Sequence, residues 1–516
     1  MQFKSYPLNQ LNSFSGLLLD YLTAEENLKN LYGESPNLAS FEKQIQVKSD
    51  FPESNRKVLV EILKKQYCDF ASPPNIEILH DKHTFTVTTG HQLNLFTGPL
   101  YLIYKIVSTI NLAKKLKASY PEYHFVPVYW MATEDHDWDE INHFYWFGKK
   151  YTMETDQRGP VGKFNLSQMP EFLATLPEKA EIFEKAYLSG KTLTDAVRMY
   201  MHDLFPGEDL ICLDADDKAL KQTFTPVMEV DLLEGAHLDL VNQQNQVLEN
   251  LGYKPQIHAR EINFFYLQAG FRERIEKQNE RYSVLNSPIS WSKSELQSEI
   301  QAHPERFSPN VVMRPLYQET ILPNLAYLGG GAEVSYWLQL KGIFDAHHVP
   351  YPILLPRNFA LVLTPQQHQR IQKLGVPVQD LFLDDTTLKK KFVEDHSDKI
   401  LDFQAEQQLI EPIIQQVLAK IGAVDKTLEA SVLAEQHKWI SGLENLEKRM
   451  KKAEERNQET QVQQLLGLKS KLFPEGHWQE RHDNLLNFYG NYPHLIADLL
   501  ATFDPLNFEL YVLELA

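Results

Sequence analysis

A polar turn at residues 89–97 carries side chains that suit the binding of an anion. The β-rich run 84–89 precedes it, and a helix with Leu100, Ile103, Val107 and Ile110 on one face follows Pro99. The first amides of a helix are unpaired and lie at the positive end of its dipole, so they can receive a phosphate or a carboxylate. The candidate binding residues are Thr89, Gly90, His91, Gln92 and Asn94. An ordinary strand-to-helix loop with a satisfied histidine remains the alternative, because neither GxGxxG nor the Walker pattern is present.

An acidic turn follows the second apolar run, His124–Ala132. Residues 134–143 contain five carboxylates and two histidines, including Glu134, Asp135, His136 and Asp137. Such groups can position an amine, act as a base or bind a divalent ion. A solvated acidic loop is the alternative. We predict no metal site, because the HxH and HExxH spacings are missing.

Two arginines next to apolar runs predict a second anion-binding element. Arg314 and Arg357 lie where a cation is costly unless it is paired or awaits an anion. The alternative is a structural salt bridge, with Glu319 and Glu333 as the expected partners. Gly330 and Gly331 would let backbone amides approach a ligand or form a tight turn, and Asn358 follows Arg357.

The order strand, polar turn, helix, strand, polar turn within about 60 residues is typical of a parallel βαβ unit, with both turns at one sheet edge. We therefore predict an α/β fold with a Rossmann-like parallel-sheet core, a connecting insertion and an α-helical coiled-coil arm. The expected boundaries are an N-terminal helical part at 1–70, core halves at 71–145 and 311–385, an insertion at 146–310, the arm at 386–471, and a C-terminal segment at 472–516 that docks on the core.

The arm is predicted from apolar residues spaced by four and three. One series runs over 410, 414, 417, 421, 424 and 428, and a second begins at 432. Gly422 and Asp425 indicate a bend, and residues 456–460 indicate the tip of a hairpin. Such an arm packs on itself or on a second subunit.

Composition narrows the class of partner. A net charge of −18 over 516 residues argues against broad binding to nucleic acids or anionic membranes. Two cysteines without a CxxC argue against a disulfide framework. The start of the chain lacks the apolar core of a signal peptide, and no run is long enough to span a membrane. We expect a cytoplasmic protein.

Four separated motifs together resemble the bacillithiol biosynthesis cysteine-adding enzyme family, BshC. They begin at Thr89 (TGHQLNLFTGPLY), Glu134 (EDHDWDEINH), Gly330 (GGAEVSYW) and Leu472 (LFPEG, then QER from Gln479), in family order over nearly the whole chain. The resemblance implies a core related to class I nucleotidylyltransferases and aminoacyl-tRNA synthetases. It also implies a homodimer formed through the arm, and the joining of L-cysteine to glucosaminyl-malate.

The resemblance also implies roles for residues. Thr89, Gly90 and His91 would occupy the place of the HIGH-type signature, although its first histidine is absent here and no KMSKS loop is evident. Our own hypothesis is that His91, Asp135, His136 and Asp137 are catalytic. ATP would activate the carboxyl group, and a separate ADP site would lie near Phe473, Gln479 and Arg481. The expected substrate-binding residues are Thr89, Gly90, Gln92, Asn94, Glu134, Arg314, Glu319, Gly330, Gly331, Glu333, Arg357 and Asn358.

Two other functions fit the same core. A nucleotidylyltransferase acting on another small anionic metabolite would release pyrophosphate and form an adenylylated product, whereas the ligase would form an amide. A non-catalytic scaffold would tolerate alanine in both polar turns but not at the heptad positions of the arm.

Overall fold

A computed structural model describes residues 2–11 and 13–515, which form two compact units. The first consists of Phe14–Val362 and Trp478–Leu515 together with the start of the chain up to Asn9. The second consists mainly of Leu363–His477. No helix within the described ranges is both long and apolar enough to cross a membrane.

The first unit is built around five parallel strands, which confirms the predicted fold class. Their order across this central sheet is Ile353–Pro356, Asn324–Gly329, Thr84–His91, His124–Met131 and Ile211–Asp214. Thr84 lies opposite His124, and Leu328 lies opposite Thr89. The strands are almost wholly buried, as expected when helices cover both faces of a parallel sheet. All five carboxyl ends, with the turns that follow them, lie at one sheet edge.

The segment 146–310, predicted as a connecting insertion, also contributes to the central sheet. Its strand Ile211–Asp214 pairs in parallel with His124–Met131 and forms one edge. A five-stranded antiparallel sheet lies in the same part of the chain, in the order Ser290–Trp291, Arg281–Val284, Phe271–Gln278, Phe264–Gln268 and Phe307–Pro309. A separate hairpin joins His143–Trp146 to Lys149–Thr152.

The beginning of the chain differs from the prediction. Residues 1–70 were expected to be helical, but Gln2–Pro7 is a strand that pairs antiparallel with Glu509–Glu514. Phe359–Leu363 completes this three-stranded sheet. The partner strand is about 500 residues away in sequence, so local periodicity gives no sign of the pairing. The expected helices follow at Gly16–Leu22, Ser40–Lys48 and Glu53–Gln66.

The helix Tyr101–Ser119 connects the neighbouring strands Thr84–His91 and His124–Met131 of the central sheet. Its residues from Leu102 to Ala113 are all buried, so the helix has neighbours on nearly every side. The remaining helices of this unit are Trp138–Ile141, Met169–Leu173, Glu181–Ser189, Leu193–Leu204, Lys218–Gln222, Thr225–Glu229, Val230–Glu234 (a π-helix), His237–Asn250, Lys293–Ala302, Arg314–Ile321, Gly331–Trp337, Lys341–Ala346, Leu486–Tyr489 and Leu495–Thr502.

The second unit is helical, as predicted for the arm. Its helices are Pro365–Leu374, Asp385–Asp395, Gln404–Gly422, Glu429–Asn457 and Glu459–Leu472. The chain reverses at residues 423–428, where Asp425 caps a short 3-10 turn, and Gln436 donates a hydrogen bond of 2.6 Å to Glu411 across the hairpin. The predicted tip at 456–460 is wrong, since Gln458 only interrupts the helix there.

A histidine pair, the buried His237 and the half-buried His347, joins the helix His237–Asn250 to the end of the helix Lys341–Ala346. The Nδ1 atom of His237 lies 2.8 Å from Asp231, and its Nε2 atom lies 2.7 Å from Nε2 of His347. Burial and the neighbouring His237 lower the pKa of His347 from 6.5 to about 4. His347 is therefore neutral in the folded protein near neutral pH.

We expect this pair to make stability depend on pH. As pH falls from 6.5 towards about 4, the unfolded chain binds a proton at His347 that the folded chain does not, so the free energy of unfolding decreases. Urea unfolding of the native chain and of His347→Gln should show a smaller decrease in the variant over this range. Parallel curves for the two proteins would contradict the assignment.

Candidate functional site

The two polar turns meet at the carboxyl edge of the central sheet, as the sequence predicted. The side-chain amide of Gln92 donates to Asp135 at 2.8 Å and to Glu140 at 2.5 Å. Tyr129, on the strand between them, donates to the carbonyl of Gln92 at 2.9 Å. The turn after Thr84–His91 and the turn after His124–Met131 therefore form one surface.

The backbone of the first turn is strained and requires a glycine at position 98. Phe96 and Thr97 adopt φ values of 50° and 70°, which are uncommon for residues with side chains. Gly98 has φ 57°, and a Cβ atom there would lie 2.7 Å from the side chain of Asn94. Such strain persists only where the surroundings enforce it, and it concentrates at functional sites.

His91 is neutral at this edge. Burial lowers its pKa well below the ordinary range, and the nearby cations Lys105 and Arg357 lower it further. Its Nε2 atom is buried without a hydrogen-bond partner, and its ring packs edge-on against Tyr101 with 5.1 Å between centroids. A neutral imidazole can accept or donate a hydrogen bond, but it offers no positive charge to an anion.

Lys105 connects three elements that border the site. Its Nζ atom donates to the carbonyl of Gly90 at 2.9 Å and forms a salt bridge of 2.6 Å with Glu333. The other carboxylate oxygen of Glu333 accepts from the amide of Gly330 at 2.9 Å. Burial lowers the pKa of Lys105, and the Glu333 carboxylate opposes that shift. Lys105 lies within an apolar helical pattern, which gives no sign of this role in the sequence.

Arg314 has no carboxylate partner within residues 2–11 and 13–515. Its Nη1 atom donates to Gln318 at 3.0 Å, while its buried Nη2 atom has no partner. The guanidinium group lies 5.3 to 5.9 Å from the ring centroids of Tyr327, Trp337 and Trp130. A Cβ atom on Gly90 would be 3.4 Å from Arg314, so the arginine adjoins the first polar turn.

The expected salt-bridge partners of the arginines are wrong. Arg357 forms a bidentate pair with Glu480 at 2.9 and 2.6 Å, and both side chains are at most 2% exposed. Glu333 pairs with Lys105, and Glu319 pairs with Lys48 at 3.1 Å. The partners come from segments whose proximity depends on the tertiary fold.

Three predicted binding residues are occupied by interactions within the protein. Arg357 is held by Glu480, and Asn358 bonds to Ser108 at 2.9 Å and to the carbonyl of Asp504 at 2.7 Å. Glu319 accepts from Asn324, at the amino end of its strand and away from the polar edge. These contacts indicate structural roles. Thr89 likewise donates to the carbonyl of Leu328 at 2.7 Å.

The acidic turn contains a buried charge cluster. Lys221 lies 2.5 Å from Glu134 and 2.7 Å from Asp216, and none of the three is more than 13% exposed. Burial raises the pKa of Glu134, while Lys221 opposes this shift. Burial and Asp216 likewise raise the pKa of Asp214, which accepts from Thr133 at 2.6 Å. Glu134 is therefore bound to a lysine within the protein.

Arg272, which the sequence analysis did not assign to the site, reaches the same turn from the antiparallel sheet. It donates to Nδ1 of His136 at 3.1 Å and lies 4.0 Å from Asp135. Ser308 and the ring of Phe265, 3.9 Å from the guanidinium, hold it in place. Asp137 accepts from the amide of Glu140 at 3.3 Å and so caps the following helix.

A cavity of about 280 Å³ lies beside the first polar turn. Gln92 and Asn94 line it, together with Tyr101, Glu140 and Arg481. The structure thus places Arg481, predicted for a nucleotide site, next to predicted substrate-binding residues. Gln479 is buried and bonds to the backbone of Val362 at 2.8 and 3.0 Å. Phe473 belongs to the second unit, where its ring packs against Phe382.

Within the described ranges, no three His, Cys, Asp or Glu side chains are grouped so as to hold a metal ion. Glu134 and Asp216 surround a lysine instead.

The parallel sheet with its polar carboxyl edge defines a Rossmann-like α/β protein, and comparison with known proteins specifies the family. The family model described as "Bacillithiol biosynthesis BshC, N-terminal Rossmann-like domain" matches residues 1–358. The model described as "Bacillithiol biosynthesis BshC, C-terminal coiled-coil domain" matches residues 360–515. The chain belongs to the BshC family, which confirms the resemblance found in the sequence.

Relatives of nearly the same length carry the name "Putative cysteine ligase BshC". The protein of Cytophaga hutchinsonii is 43% identical over 507 residues, covering 98% of this chain and 97% of that protein. The protein of Flavobacterium johnsoniae is 42% identical over 518 residues, covering 97% of this chain and 98% of that protein. The protein of Bacillus pumilus is 34% identical over 379 residues, covering 67% of this chain and 68% of that protein.

The cluster around Lys221 yields a stability prediction. Lys221→Met leaves Glu134 buried without its lysine and leaves Asp216 paired only with Lys163, so we expect a loss of about 3–5 kcal/mol in the free energy of unfolding near neutral pH. Urea denaturation of the native chain and of the variant measures this change in the free energy of unfolding. The matched control is Lys218→Met on the same helix, which removes a lysine that is more than half exposed and should change stability by less than about 1 kcal/mol. Equal effects would show that the cluster is not a buried ionic unit.

Proposed function

We propose that this protein is a ligase that joins the carboxyl group of L-cysteine to the amine of glucosaminyl-malate, the last step of bacillithiol biosynthesis. Membership in the BshC family and the printed name of its full-length relatives support the reaction class. The structural observation that carries the proposal is Arg314, a guanidinium group without a carboxylate partner in the described ranges, beside the predicted turn. It suits a carboxylate of the malate group.

The residues at the carboxyl edge suit different steps of such a reaction. Amide formation requires a neutral amine nucleophile, and neutral His91 can accept a hydrogen bond from that amine through the unpartnered Nε2 atom. Asp135, held by Gln92, supplies a carboxylate near the same place. Arg272 holds His136 beside it. Glu333 accepts from the amide of Gly330 and pairs with Lys105, and these contacts fix the glycine turn at the same edge.

Carboxyl activation is the role proposed for ATP. Amide formation from a free carboxylate is unfavourable in water, so a phosphorylated or adenylylated carboxyl group would precede the attack of the amine. The proposal includes a homodimer formed through the second unit. Eight large apolar side chains there are 46–85% exposed, and Leu409, Leu433, Trp439 and Leu446 lie on the two long helices of the hairpin. A second copy would cover them.

The reaction is tested by mass spectrometry of small thiols in cells that carry or lack the gene. Deletion should abolish bacillithiol and cause glucosaminyl-malate to accumulate, and the native gene should restore the thiol. His91→Ala, Asp135→Ala and Arg314→Met should restore about a tenth or less, since each removes an interaction worth more than about 1.4 kcal/mol in the reaction. The control Asp139→Ala removes an exposed carboxylate of the same turn and should restore it fully.

An unchanged thiol pool in the deletion strain would refute the ligase assignment. Release of pyrophosphate with an adenylylated product and no amide, using purified enzyme, would instead indicate a nucleotidylyltransferase. Full restoration by all three site variants would remove the assigned roles and leave the reaction intact.

The dimer is tested by light scattering of the purified chain. Trp439→Glu combined with Leu446→Glu should convert a dimer to a monomer, because two charges would be buried in an apolar contact. Asn445→Glu adds one such charge at an exposed polar position of the same helix and should leave the mass unchanged. A native chain that is monomeric at all concentrations would refute the dimer.

A further inference from the structure

The cavity beside the first polar turn contains two opposite charges that are not neutralised within the protein. Glu140 and Arg481 both line it with exposed side chains, and neither forms a salt bridge with the other or with any residue in the described ranges. Glu140 accepts one hydrogen bond, from Gln92, which leaves most of its acceptor capacity free. Burial raises the pKa of the Tyr101 hydroxyl, and the charges of both Arg481 and Glu140 also act on it, so this tyrosine lies near both groups.

A further polar group in the wall lacks a partner. Asn94 is 5% exposed, and its side-chain oxygen makes no hydrogen bond. A buried acceptor without a partner costs about 1–3 kcal/mol, so it favours a ligand that supplies a donor. Within one cavity, the protein thus offers a carboxylate, an amide oxygen and a guanidinium group.

The size and rigidity of the cavity restrict the ligand. At about 280 Å³ it lies below the range of about 300–1,000 Å³ that is typical for drug-sized ligands, which favours a small molecule over a nucleotide. Its far wall is stiff, because the rings of Tyr145 and His482 stack with 3.9 Å between centroids and His482 bonds to Asp483 at 2.9 Å.

We propose that this cavity binds a free α-amino acid as a zwitterion, with its ammonium group on Glu140 and Asn94 and its carboxylate on Arg481. The inference rests on the proposed function, in which L-cysteine is the amino acid. It assigns cysteine to a place separate from Arg314. Gln92 connects the two regions, because it bonds both to Glu140 in the cavity wall and to Asp135 in the acidic turn.

The test is isothermal titration of the purified full chain with three thiols. L-Cysteine carries both charges, cysteamine lacks the carboxylate, and 3-mercaptopropionate lacks the amine. The native chain should bind L-cysteine most tightly. Arg481→Met should weaken the binding of L-cysteine by about tenfold or more and leave the affinity for cysteamine unchanged. Glu140→Gln should weaken the binding of L-cysteine and leave the affinity for 3-mercaptopropionate unchanged.

The controls are Asp139→Asn, which neutralises an exposed neighbour of Glu140, and Arg456→Met, which removes an exposed arginine of the second unit. Both should bind all three thiols as the native chain does. Native L-cysteine affinity in both cavity variants would overturn the inference, as would a loss that is equal for all three thiols or no saturable binding to the native chain. If bacillithiol still depends on the gene in those cases, the ligase stands and only the location of cysteine is wrong.

Discussion

The carboxyl edge of the central sheet depends on the burial of one ammonium group. Lys105 is 2% exposed, so its charge must be compensated within the protein. Glu333 and the carbonyl of Gly90 provide that compensation, and Glu333 in turn fixes Gly330. One cation therefore sets the relative positions of a helix, the end of a neighbouring strand and the glycine turn after the next strand.

The presence or absence of a carboxylate partner distinguishes cations with a structural role from cations that are available to a ligand. Arg357, Lys221 and Lys48 each have buried carboxylate partners. Arg314 and Arg481 have none in the described part of the chain, and both adjoin the polar turn that begins at Gly90. An unpaired charge near a protein interior is costly, which makes Arg314 a candidate for binding a substrate carboxylate, and the exposed Arg481 is a second candidate because it lines the cavity.

Local patterns in the sequence were sufficient to predict the strands and helices around the site and the sheet edge at which the two polar turns meet. β-Rich runs followed by polar turns located the strands Thr84–His91 and His124–Met131, and the parallel βαβ rule placed both turns together, as the contact between Gln92 and Asp135 confirms. Spacing by four and three located the helices of the second unit. It misplaced the hairpin tip, because the polar run 456–460 only interrupts the helix at Gln458, whereas the chain reverses at the bend indicated by Gly422 and Asp425.

The sequence by itself determined the fold class, the two polar turns and the family, because these depend on residue order and on spacing within short segments. The tertiary structure alone decided which charges are paired. Glu480 reaches Arg357 from 123 positions away, Glu333 reaches Lys105 from 228, and Arg272 reaches His136 from 136. Side-chain pairing follows distance in space, and periodicity carries no information about contacts across such separations.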